Sequence, residues 1–122
     1  MQDKDVDGGK NYQQSVDACA AMGGRIAILN TKAKYDDAAS QVVTGTAYWI
    51  GGAWDTNDER WEWVDESRMP ANGASTDDNY ENWHGSTEPD NPTTEGCVIW
   101  TSAKTFRSWA CSAPSVVLTV GF

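Results

Sequence analysis

Between Tyr80 and Cys97 the chain carries Glu88, Asp90 and Glu95 in quick succession, with Asn91 among them and Pro89 between the first two. These side chains present hard oxygen donors. Oxygen-rich loops of this kind bind divalent cations such as calcium. A cation held by only a few protein oxygens keeps coordination positions open, and ligand hydroxyls can fill them while the carboxylates accept their protons. Glu88, Asp90, Asn91 and Glu95 are therefore the candidate ligand-binding residues. A solvated acidic face accounts for the same residues without any ligand, and both readings stand at this point.

Other chemistries find less support. Glu88 and Glu95 could form the acid/base pair of a glycoside hydrolase. Yet no nucleophile, glycine-rich phosphate loop or metal triad accompanies them, so the chain reads as non-enzymatic. Zinc is disfavoured by a single histidine, His84, and by the lack of any Cys-x-x-Cys. His84 itself reads as an exposed loop residue beside Trp83. The cysteines are Cys19, Cys97 and Cys111, an odd set that allows at most one internal disulfide and leaves one thiol. One disulfide in a domain this small fits an oxidising compartment.

A net charge of −9 over 122 residues argues against nucleic acid or an anionic membrane as partner. No apolar run approaches the ~20 residues of a membrane span. Met1 leads directly into Gln2-Asp3-Lys4-Asp5 without a signal-peptide pattern, which reads as a domain excised from a secreted or larger protein. Leu and Phe occur only twice each against seven Trp, so tryptophan must supply much of the core. Trp49, Trp61, Trp63 and Trp100 sit on strand patterns and read as core, whereas Trp54 and Trp109 could serve as platforms for a ligand ring.

The elements that must position the candidate site follow from periodicity. Residues 1–10 form a polar arm or a short first strand, and a single domain follows over 11–122. Tyr12, Val16, Cys19 and Ala20 share one helical stripe, stopped by Gly23-Gly24. Ile26 and Ile28 alternate with Arg25 and Ala27 as a short strand. Asn30 or Thr31 caps a second helix that buries Tyr35, Ala38 or Ala39, and Val42, and ends at Gly45. Tyr48 to Gly52, Trp61 to Asp65, Cys97 to Thr101, Phe106 to Cys111 and Val116 to Val120 read as strands. Lys104 falls in the turn before the fourth of these. Two helices followed by antiparallel strands predict an α+β fold. The segment 69–95 lacks apolar periodicity, and a loop of roughly 25 residues is far beyond the usual ~4–6 and is normally functional.

In this order the residues resemble the C-type lectin-like domains, from about residue 11 to the end. Cys19 with Gly23-Gly24 and Ile26-x-Ile28 matches the start of that family's pattern. Trp49-Ile50-Gly51, Trp61-x-Trp63-x-Asp65 and Tyr80-x-Asn82-Trp83 match its central segments. Glu88-Pro89-Asp90 corresponds to its Glu-Pro-Asn or Gln-Pro-Asp tripeptide, followed by Glu95 and Cys97. The resemblance implies a non-enzymatic recognition domain, extracellular or on a cell surface, that binds carbohydrate or a glycoconjugate through the long loop. It implies a cis Glu88–Pro89 bond and calcium held by Glu88, Asp90 and Glu95. Glu-Pro-Asp is a hybrid of the family's mannose-type and galactose-type tripeptides, so sugar preference is not readable. Asp77 and Asp78 could serve a second calcium site found in some members.

Two positions depart from the pattern. Arg107 and Ser108 stand where the family's Asn and Asp ligands would be and so join the candidate ligand-binding residues, and Thr119 replaces its last cysteine. Arg107 is thus expected either to form bidentate bonds with Glu88, Asp90 or Glu95 in place of calcium, or to turn to solvent and leave a weak calcium site. Cys97 and Cys111 then pair by family correspondence, and Cys19 is left as a buried thiol. The departures keep a rival reading open: a protein-binding or adhesion domain, independent of calcium. A third reading makes the chain one of a diversified set that varies the loop and Phe106 to Trp109.

Overall fold

The computed structural model describes residues 3–6, 11–21, 23–41, 47–112 and 118–121, and for 3–6 and 118–121 only the backbone is considered. Its elements are β1 (Asp3–Val6), α1 (Tyr12–Ala21), α2 (Lys32–Ala39), β2 (Tyr48–Asp55), β3 (Arg60–Trp63), β4 (Cys97–Trp100), β5 (Phe106–Trp109) and β6 (Leu118–Gly121). The strands form one sheet in the order β1-β6-β2-β4-β5, with β3 paired to β2. Of the two forms open to the first residues, Asp3–Val6 takes the strand, antiparallel to β6. The fold is α+β as expected, with one addition. β6 runs parallel to β2, whereas the other pairs are antiparallel.

Local chemistry explains the helix limits. Asn11 and Gln14 exchange side chain–backbone bonds, Gln14 N–H to Asn11 Oδ1 at 2.9 Å and Asn11 N–H to Gln14 Oε1 at 3.0 Å. This reciprocal capping starts α1. Gly23, at φ 83°, ends it, and Gly24 N–H returns to Cys19 O at 3.1 Å. At α2 it is Thr31, not Asn30, that caps, with Oγ1 accepting from Lys34 N–H at 3.1 Å. α2 ends earlier than expected, at Ala39 with Ser40 as its C-cap, whose N–H bonds to Asp36 O at 3.1 Å; Val42 and Gly45, expected to continue and end it, lie outside the described residues.

Residues 25–28 differ from the predicted strand. Only Ile26 makes a bridge, and Ile26, Ala27, Ile28 and Leu29 are all buried. The segment is enclosed on both sides, so the Ile-x-Ile alternation does not separate a wet face from a dry one. Ala27 O nevertheless accepts from Gly51 N–H at 2.7 Å, which ties it to β2. β3 is shorter than the Trp61 to Asp65 pattern, because Val64 and Asp65 already turn and Glu62 between the two tryptophans is buried.

Tryptophan carries the core, as its abundance requires. Trp49, Trp63 and Trp100 are fully enclosed, Trp61 and Trp83 nearly so, and Phe106 meets Trp63 and Trp83 edge-on at 5.7 and 5.9 Å. Trp54 and Trp109 are half-buried. Cys97 and Cys111 are bonded, and Cys19 is a buried free thiol. No helix among the described residues is long and apolar enough to cross a membrane.

Candidate functional site

The long loop is held to the core by side chains whose hydrogen bonds are made inside it. Trp83 is buried and donates from Nε1 to Pro70 O at 2.9 Å. Glu81, also buried, accepts from the N–H groups of Trp83 (2.8 Å) and Gly73 (2.9 Å). Asn82 Nδ2 donates to Tyr35 Oη and to Lys104 O at 3.0 and 2.9 Å, and its own carbonyl accepts from Phe106 N–H. Asn72 Nδ2 binds Gly85 O and Glu88 O, both at 2.9 Å. A segment with so little apolar periodicity is therefore ordered by buried polar groups that are all paired.

This scaffold turns Glu88 inward. The Glu88–Pro89 bond is cis, and the Glu88 side chain is only 6% exposed. Opposite it lies Ser108 on β5, with no exposure at all. Both donors of Ser108 reach one oxygen, Glu88 Oε1: the amide at 2.8 Å and the hydroxyl at 2.7 Å. The same hydroxyl oxygen lies 2.7 Å from Asp90 Oδ1 and 3.4 Å from Glu95 Oε1, and accepts from Asp90 N–H at 3.2 Å. A serine hydroxyl has one hydrogen, so it can satisfy only one of the three carboxylates at a time.

Asn91 acts through its backbone. At φ 44° it occupies the left-handed region that asparagine tolerates, and its carbonyl accepts from the N–H groups of Thr94 (3.0 Å) and Glu95 (2.7 Å). That turn swings Glu95 back toward Asp90. Burial raises the Glu95 pKa, and the neighbouring Asp90 carboxylate raises it further.

Arg107 does not form the bidentate bonds set out as one possibility. Its Nε lies 3.8 Å from Glu88 Oε2, an ion-pair distance too long for a hydrogen bond, and the side chain is 47% exposed. The guanidinium instead lies over the Trp109 ring, 5.5 Å from its centroid. A half-exposed cation held by its own strand neighbour cannot neutralise Asp90 and Glu95 as well.

The donor set fits a hard cation in type. Three carboxylates and a neutral hydroxyl converge with oxygen atoms only, beside a single, distant contact from Arg107. It is incomplete in number, since calcium takes about 6–8 oxygens. Among the described residues, acidic oxygens that all lie within 4.8 Å of one another occur instead at Asp55, Asp58 and Glu62. No spacing in the sequence marks that cluster, because its members lie on and beside an ordinary-looking acidic turn. Arg60 occupies it, pairing with Glu62 and approaching Asp58 at 4.0 Å. Asp77 and Asp78 are exposed, and His84 bonds Thr105 Oγ1 at 2.9 Å.

The sequence matches the model of the Lectin C-type domain over residues 8–118. It is 28% identical over 103 residues to a perlucin-like protein of Mytilus galloprovincialis, covering 81% of this chain and 60% of that relative. The relatives it matches are longer, and the chain spans between 26% and 60% of their length. Among solved structures, the C-type lectin domain of murine dendritic cell inhibitory receptor 2, in complex with N-glycan, superposes with a TM-score of 0.72 at 22% identity, over 98% of this chain and 88% of that one. A calcium-independent type II antifreeze protein superposes with a TM-score of 0.70 at 18% identity, over 99% and 82%. At these identities the two superpositions establish the fold alone. By the match that runs through almost its whole length, this chain belongs to the C-type lectin domain family.

Proposed function

We propose that this domain is a non-enzymatic, extracellular or surface-displayed recognition module that binds carbohydrate through Glu88, Asp90 and Glu95, with weakly held calcium. The observation that carries the reading is the convergence of three carboxylates on the single hydroxyl of Ser108. Like charges so placed are stabilised by a cation, and Arg107 supplies only one distant partial contact. Calcium, when bound, would offer open coordination positions to vicinal sugar hydroxyls. Glu88, Asp90, Glu95 and the Ser108 hydroxyl would hold it. The free carboxylate oxygens accept the sugar's hydroxyl protons, and Asn91 keeps the turn that brings Glu95 in. With four protein donors in place of the usual set, affinity for calcium falls in the weak range of extracellular modules, about 10⁻⁴ to 10⁻³ M.

A second reading, a calcium-independent protein-binding or adhesion domain, is favoured by the Arg107–Glu88 ion pair. A glycan array run in millimolar calcium and again in excess chelator separates the two. Glycan signals that the chelator abolishes are expected. A blank array in both conditions favours the protein-binding reading.

A further inference from the structure

A groove of about 210 Å³ opens beside the loop, with Trp54, Arg60, Arg68, Asn72 and Pro89 among its lining residues. It adjoins the calcium-site residues through two of these. Pro89 stands between Glu88 and Asp90 in the chain, and Asn72 binds the Glu88 carbonyl at 2.9 Å. Trp54 lies on the other side, half-buried, its amide donating to Gly96 O at 2.8 Å and its indole meeting Trp61 edge-on at 5.7 Å. That contact braces the Trp54 ring, and Trp54, only partly buried, is among the residues that line the groove.

The charges in the groove differ in their engagement. Arg60 is committed to Glu62 and Asp58. Arg68 is exposed, and among the described residues its guanidinium makes neither an ion pair nor a hydrogen bond. Two arginines and one acidic residue, Glu59, line the groove in a chain whose net charge is −9. An unpaired arginine beside a partly buried tryptophan is a combination that takes a ring bearing an anion. The guanidinium fork meets a carboxylate or sulfate, and the apolar face of a sugar ring packs on tryptophan.

We infer that this groove is a subsite for an acidic sugar, a uronate- or sulfate-bearing residue, adjacent to the sugar bound at Glu88 and Asp90. The inference rests on the carbohydrate reading of that site. Because the domain as a whole repels anions, a preference for acidic glycans has to come from local contacts such as Arg68.

The test is an array carrying mannose, galactose and N-acetylglucosamine oligomers, each backbone in neutral, 6-O-sulfated and uronate forms. It is probed in calcium with the unmodified domain and with Arg68→Gln, both checked for the same melting temperature. On at least one backbone an acidic form is expected to bind about tenfold tighter than the neutral one. Arg68→Gln should remove that gain and leave neutral binding unchanged. If neutral glycans bind and no acidic form binds better, or if the gain survives Arg68→Gln, the subsite is wrong while the Glu88 site stands. If every form of every backbone is blank, both fall together.

Discussion

The amide and the hydroxyl of Ser108 converge on a single oxygen of Glu88, at 2.8 and 2.7 Å, in a spot closed to solvent. Ser108 thus binds the inward-facing carboxylate of the loop, while its hydroxyl oxygen stays within reach of Asp90 and Glu95.

Ser108→Ala removes the hydroxyl and leaves buried carboxylate oxygens short of a donor. The expected loss is about 1–3 kcal/mol of stability, measured by urea unfolding. Ser108→Asp has the opposite emphasis. It adds a fourth carboxylate, lowering the melting temperature in chelator and raising it in calcium by more than in the parent domain. A melting temperature of Ser108→Asp indifferent to calcium would speak against a cation at this spot.

Arg107→Gln tests whether the arginine stands in for calcium. The ion pair is 3.8 Å long and half-exposed, so stability should change by no more than about 0.5 kcal/mol. Calcium affinity, read by titration calorimetry, should rise severalfold once the nearby positive charge is gone. A large destabilisation in chelator, rescued by calcium, would instead mark Arg107 as the ion's replacement.

The raised Glu95 pKa gives a pH dependence with a definite sign. In the folded, calcium-free domain burial and Asp90 favour the protonated carboxyl, so the folded state holds its proton to higher pH than the unfolded chain. This contribution is present below the unfolded carboxylate pKa and is lost as pH rises through the folded one. Glu95→Gln should therefore flatten the decline in stability of the calcium-free domain as pH rises above about 4.5. Calcium competes with the same proton, so its affinity should weaken as pH falls through that window. Denaturant unfolding across the pH range, with and without Glu95→Gln, provides the check.

The cysteines make a simpler prediction. Under denaturant without reductant one thiol should titrate, belonging to Cys19, and three after reduction. Reducing Cys97–Cys111, which closes a loop of about 15 residues, should cost about 3 kcal/mol. Two or more thiols before reduction would contradict the pairing.

Fold and site were legible to different depths. Trp49-Ile50-Gly51 and Cys97 to Trp100 were legible as strands because fully buried strands carry their own apolar signal, and the structure pairs them. Residues 25–28 misled, since an alternating pattern cannot reveal that both faces are enclosed at Ile26, Ala27 and Ile28. Glu88, Asp90 and Glu95 were visible as acidic residues in a long loop, and the structure brings all three to Ser108. Ser108 was legible as a ligand position, but not as the hydroxyl on which the three carboxylates meet. Its role depends on a contact across 20 residues that no local pattern encodes. Of the two forms expected for Arg107 the bidentate one is absent, because Trp109 two residues on holds the half-exposed guanidinium aside.

The most direct measurement follows the backbone amides by ¹⁵N–¹H correlation spectra during a calcium titration, with simple hexoses added at the end. The Ser108, Asp90 and Glu95 amides should shift progressively into the millimolar range, shift again with a bound hexose, and return on chelation. Spectra in which these three stay still, while the amides around Asp55, Asp58 and Glu62 move or nothing moves, would contradict a cation-assisted sugar site in the long loop.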